Sequence, residues 1–156
     1  MRDLGIWITI HLLGVVLFIG NASTAAYWKI TAVRSGDVRL LAHTVRRVMT
    51  ADYVFTIPGL ALVVASGSVL AVQEGYALDQ LSWLTVSLLL FIATGLLWVS
   101  VLMPCQRAMI RESDDSIAQG RPNAAFRRAS LRWDVFGILA TVLPLAVMYL
   151  MVAKPF

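Results

Sequence analysis

Apolar residues dominate four stretches of the chain, approximately 4–27, 53–72, 81–103 and 133–152, and polar and charged residues gather between them. Each stretch matches the roughly 20 helical residues needed to cross about 30 Å of hydrocarbon. None alternates apolar and polar positions as a barrel strand does, and in lipid only helices and closed barrels satisfy every backbone polar group. The pattern predicts an all-α polytopic membrane protein. It forms a four-transmembrane-helix bundle in a single domain over residues 1–156, with loops at 28–50 and 104–132.

Finer features of the pattern follow. Residues 38–49 place Leu40, Leu41, Thr44, Val45 and Val48 on one stripe, with Arg39, His43, Arg46 and Arg47 off it. That is how a short helix lying on an anionic membrane surface, or extending the second span, reads. Residues 113–123 turn polar around Gly120 and Pro122 and predict a mobile loop. Pro58 and Pro144 each remove a backbone donor and are expected to kink the second and fourth helices. Gly14, Gly20, Ala22, Ala25 and Ala26, with Ala65, Ser66 and Gly67, offer small surfaces for close helix contact. Trp28, Trp83, Trp98 and Trp133 fall mostly near the expected interfaces, where indole rings prefer to sit.

Charge then gives orientation. Of 13 Lys and Arg residues, 11 fall in the two long loops. The other side carries Arg2, Lys154 and a short acidic turn with Glu74 and Asp79. The positive-inside rule makes both loops cytoplasmic and both termini outside. This accounts for the basic balance, so nucleic acid is not an expected partner; the lipid bilayer is. Charged residues make up 14% of the chain, against about a quarter in soluble domains. Cys105 is the single cysteine, so no intrachain disulfide forms. The small residues of Asn21-Ala22-Ser23-Thr24-Ala25-Ala26 resemble a signal cleavage region. The apolar run before them is too long for one and the positive charge follows it, so a retained helix is expected. Asp52 and Asp134 sit in the expected first turns of their helices, suited to the macrodipole and to pairing with Arg47, Arg128 or Arg132.

One titratable side chain, His11, lies inside the first apolar run. An ionisable group at membrane depth needs a partner and marks a candidate functional site. His11 shares a helical face with Trp7, Gly14 and Phe18, which offers an axial nitrogen, a shallow surface and flanking aromatics: the requirements of haem. The plainer alternative is a hydrogen bond from His11 to a hydroxyl on a neighbouring helix, with Ser66, Ser68 and Ser87 available. Met148, at comparable depth in the fourth helix, is a candidate second metal ligand beside His11. His43 belongs to the other side of the membrane and is excluded.

The string His11-Leu12-Leu13-Gly14-Val15-Val16-Leu17-Phe18-Ile19-Gly20 resembles the first helix of the HemJ and CopD group of bacterial membrane proteins. Thr56-Ile57-Pro58-Gly59 and Ser82-Trp83-Leu84 resemble that group's second- and third-helix motifs. Over its full length the chain is more similar to an uncharacterised family of predicted four-helix bacterial integral membrane proteins. Tyr27-Trp28-Lys29, Ala51-Asp52-Tyr53-Val54-Phe55 and Tyr149-Leu150-Met151-Val152-Ala153-Lys154-Pro155 carry this similarity. The resemblance implies a bacterial inner (cytoplasmic) membrane location and haem b on His11. It does not carry over protoporphyrinogen oxidase activity, because the third-helix lysine of the HemJ type falls at Ser87. Three readings stand: a haem-b-binding electron carrier or redox subunit; a non-catalytic structural subunit or assembly factor, as a homo-oligomer or in a larger complex; and a small-solute or proton transporter.

Overall fold

The computed structural model describes residues 2–155 other than Ala77 and Asp79, so the Asp79 part of the acidic turn and the Arg2 side chain lie outside the described residues. The described residues form four long rods, each apolar and long enough to span a membrane. The first is α1 (Arg2–Ser35) and the last is α7 (Ala124–Ala153). The second rod joins α2 (Val38–Ala51) to α3 (Ile57–Gln73) through a π-helical turn at Asp52–Thr56. The third joins α4 (Trp83–Leu97) to α5 (Met103–Arg111) through a π-turn at Trp98–Leu102. A short α6 (Ser113–Ala118) precedes α7.

The expected loops at 28–50 and 104–132 are therefore mostly helix, and each span continues well past the apolar stretch. Amphipathicity explains the difference. In α2, Leu41, Val45 and Val48 are buried while Arg39, His43, Arg46 and Arg47 are exposed, so the stripe packs on protein rather than lying on lipid. These side chains meet Ala25 and Ala32 of α1, Cys105 and Met109 of α5, and Phe126 and Ala129 of α7. Met109 and Phe126 are fully enclosed. The basic end of the bundle thus has a packed core like that of a soluble helical domain.

Local capping closes this end. Gly36, with φ +70°, turns the chain after α1, and Asp37 Oδ1 accepts from the Arg39 and Leu40 amides at 2.8 and 3.3 Å. The expected mobile loop is instead α6 and a turn. There Asn123 caps α7 by accepting from the Phe126 amide at 2.8 Å and donates to Glu112 Oε2 at 3.1 Å. The Asn123 amide, and after it the Arg111 guanidinium, hold the Glu112 carboxyl below its ordinary pKa. The tie is thus present at neutral pH and weakens only as acid protonates Glu112.

Toward the other end the rods spread into two pairs, and large apolar side chains such as Leu12, Val16, Leu89 and Val142 are exposed, as lipid-facing residues are. The α1–α3 pair is set by glycine. A Cβ on Gly14 would meet the Gly59 carbonyl at 2.8 Å and the Val63 amide at 2.9 Å, and one on Gly59 would meet Gly14 O and Phe18 N at 3.0 Å. Backbone runs against backbone, as small residues permit in lipid. At the tip, Lys154 donates to Tyr76 Oη at 3.0 Å and lies over Trp83, which meets Tyr76 edge-on.

The seam predicts opposite signs for two conservative changes. Gly14→Ala should lower thermal stability in detergent by about 1–3 kcal/mol, because backbone cannot step aside. Gly20→Ala, which faces open space, should be neutral or stabilising by up to about 1 kcal/mol through helix propensity. Equal losses at both positions would refute the glycine seam.

Candidate functional site

Two prolines organise the interior. Pro58 and Pro104 each stand two residues beyond a π-turn. Proline has no N–H and crowds the carbonyl of the preceding turn, so an α-helix cannot run through it undisturbed. Here the backbone shifts to π bonding: the Ile57 amide reaches Asp52 O and the Met103 amide reaches Trp98 O. An extra residue in the turn rotates the helix face by about 100° and re-aims nearby side chains. The expected kink at Pro58 thus takes the form of a π-turn, with a counterpart at Pro104 in a segment expected to be loop.

The two π-turns bring Asp52 and Thr56 into one cluster with Asn21 of α1 and Gln106 of α5. Asp52 Oδ1 accepts from Asn21 Nδ2 at 2.9 Å and from Thr56 Oγ1 at 3.1 Å, and Oδ2 accepts from Gln106 Nε2 at 2.9 Å. The Asn21 amide also donates to Thr56 Oγ1 at 2.9 Å. All four residues are buried, Gln106 almost completely. Asp52 has only neutral partners: among the described residues none of its contacts is a cation. The expected pairing with Arg47 does not form, because the helix does not start at Asp52; the carboxylate points into the bundle while Arg47 points out.

The second acid behaves differently. Asp134 pairs with Lys29, not with Arg128 or Arg132. Lys29 also donates to Ser130 Oγ at 2.9 Å and to its carbonyl at 3.3 Å, and its ammonium lies 5.0 Å from the Trp133 ring centroid. The lysine is 1% exposed, whereas the Asp134 side chain is 43% exposed. Asp134 sits inside α7, ten residues past its start, so the helix terminus does not hold it.

Between α1 and α7 a cleft of about 340 Å³ opens onto this cluster. Asp52, Thr56 and Gln106 line it with Asp134, and Phe18, Trp98, Trp133 and Ile138 supply apolar surface. Two residues of its lining each hold a buried polar atom with no partner among the described residues: the acceptor Gln106 Oε1 and the donor Trp133 Nε1. Buried polar groups are nearly always satisfied, by protein, water or a guest. Trp98 and Trp133, expected near the interfaces, line the cleft instead, with Trp133 buried.

The sequence-derived site lies elsewhere. His11 Nδ1 is 3.1 Å from Ser66 Oγ and its ring edge meets Gly67, so the plainer alternative, a hydroxyl on a neighbouring helix, is the contact present. Ser66 Oγ also lies within hydrogen-bond reach of the Leu62 carbonyl, and when its proton is there Nδ1–H is the donor and Nε2 carries the lone pair. The Gly14 surface beside the imidazole is filled by Gly59 and Val63, so that side of the face has no room for a ring. Trp7 is half-buried on α1, and Met148 is 44% exposed on α7. Phe18 is buried edge-on to Phe91 and, alone of the expected site residues, lines the cleft. Gln106 and Lys29 escaped sequence reading because both fell in expected loops. The signal available was the spacing of Asp52 and Trp98, each six residues before a proline.

These features define a class: an integral, multi-pass helical membrane protein with a mostly apolar cleft between its spans. The chain matches, over residues 6–155, the family of predicted integral membrane proteins designated DUF2269, and it belongs to that family. No curated protein and no solved structure matches it. The comparisons do not show the resemblance to the HemJ and CopD group.

The Lys29–Asp134 pair yields an asymmetric prediction. Asp134→Asn leaves a fully buried ammonium without its counter-charge and should cost about 3 kcal/mol of stability. Lys29→Met leaves a carboxylate that keeps part of its exposure to solvent and should cost less. Unfolding of the detergent-solubilised variants measures both, and the reverse order would refute the geometry.

Proposed function

We propose that the protein binds a small molecule in the α1–α7 cleft, as a membrane-embedded carrier or receptor subunit. Of the three readings from sequence, this is nearest to small-solute transport. The observation that carries it is a cleft whose mostly apolar lining includes Asp52, Gln106 and Trp133, the last two each with a buried polar atom that has no partner among the described residues. A cleft of about 340 Å³ is at the small end of ligand sites, which are mostly apolar with a few convergent polar groups. The guest thus offers a donor to Gln106, an acceptor to Trp133 and an apolar body to Phe18 and Ile138. Further buried hydroxyls at Thr94 and Ser87 continue a polar track along α4, and Ser87 Oγ is itself unpartnered. Such a track is what passage through a bundle requires.

Benzyl alcohol, small and neutral, is the probe. At about a hundredfold excess over Kd it should raise the melting temperature of the purified protein by about 5 °C or more, saturably. Ala22→Phe and Ala140→Phe, which fill the cleft, should melt near the native temperature and abolish that rise. An unsaturable response, or one that survives both substitutions, would overturn the reading.

A second reading rests on His11. With Nδ1–H committed to Ser66, Nε2 keeps the lone pair that an axial ligand needs. Haem b held there, away from Gly14, would make the chain an electron carrier or redox subunit. Protein purified after haem supplementation should then give a Soret band that His11→Ala removes. No band, or one indifferent to the substitution, rejects it.

A further inference from the structure

We infer that the guest of the α1–α7 cleft is a small organic monocation, a protonated amine carried on an apolar body. The inference rests on the cleft reading above and adds the charge of the ligand to it.

The argument is a charge inventory of the elements around the cleft. From α1 comes Lys29 and from α7 comes Asp134, and these two neutralise each other. From the second rod comes Asp52, and from the third comes the neutral amide of Gln106. The remaining cations nearby, Arg46, Arg47, Arg107, Arg128 and Arg132, are exposed on the outside of the rods. When ionised, Asp52 is therefore the one carboxylate of the lining with no counter-ion among the described residues. Neutral donors stabilise that anion without cancelling it, and a buried charge without a counter-ion is costly. The unpartnered atom nearest in the bonding scheme is Gln106 Oε1, an acceptor on the same amide whose nitrogen holds Asp52 Oδ2. An ammonium group brings both missing items together, a positive charge for Asp52 and N–H donors for Gln106 Oε1. Indole rings suit it as well: Trp98 and Trp133 line the cleft, and Trp133 already carries one ammonium, that of Lys29, at 5.0 Å. The apolar lining excludes a strongly hydrated guest, so the charge must ride on a hydrocarbon body.

Two isosteres separate charge from shape. Benzylamine, protonated at pH 7, should bind the purified protein at least about tenfold more tightly than benzyl alcohol, since hydrogen bonds to charged groups are about twice as strong as neutral ones. Melting-temperature titrations read both affinities. In Asp52→Asn, which keeps the shape, the ratio should fall to near one. The wild-type ratio alone tests the inference if that variant does not fold. Equal affinity of the two probes for the wild-type protein would overturn the monocation while leaving the cleft reading intact. Failure of both probes to bind would overturn both. Sodium ions that compete fully with benzylamine would also overturn it, by assigning the carboxylate to an inorganic cation.

Discussion

A carboxylate buried in protein has little water to solvate it, and around Asp52 the protein supplies substitutes from three rods. Asn21 donates from the first, Thr56 from the second and Gln106 from the third. This hub constrains much else. It requires the second rod to turn its Asp52–Thr56 face inward, which the π-turn does, and the third to bring Gln106 to the same level, below the π-turn at Trp98–Leu102. It also requires the rods to continue beyond the apolar stretches, because Gln106 and Lys29 lie on helical extensions rather than in loops.

The two ends of the bundle are held by different physics. At the basic end, Leu41, Val45, Met109 and Phe126 are shielded on all sides, and burial of apolar surface stabilises the packing as in a soluble domain. Toward the other end lipid is as apolar as leucine, so burial gives no such driving force. Close backbone contact at Gly14 and Gly59 and the Tyr76–Trp83–Lys154 clamp take over. A cleft between α1 and α7 is stable under this division. The core fixes the rods at one end, and the glycine seam draws α1 toward α3 rather than toward α7.

The four spans were legible because about 20 consecutive apolar residues have few other uses in a chain. The extensions were less so, since a helix that is half charged reads as loop until its partners are known; the stripe over 38–49 held the clue and left open which surface it covers. The site was legible only in outline. His11 stood out because it is the lone ionisable group in its run, and its contact with Ser66 was one of the alternatives the sequence offered. Asp52 was visible but read as an interface acid, because a π-turn has no hydrophobic period and nothing in the local pattern announces which way the helix face will rotate. Gly14 could have served a ring or a helix, and only the position of Gly59 decides between them.

The two acids differ in how their charge is met. Asp134 is balanced by Lys29, and together they tie α1 to α7 as a neutral unit. Packing does not demand a negative charge at position 52 in the same way. An asparagine there could accept from Asn21 and Thr56 through its carbonyl and, with the Gln106 amide turned over, donate to Gln106 Oε1. That exchange leaves the number of unpartnered atoms unchanged, with Gln106 Nε2 in place of Oε1. The neutral alternative would also avoid a desolvation cost of several kcal/mol. Three hydrogen bonds to a charged group, each worth about 1.5–3 kcal/mol, make the carboxylate tolerable at this position without making it the more stable choice. An acid at a position where an amide would also fold, on the lining of a cleft, is what the proposed cationic guest accounts for.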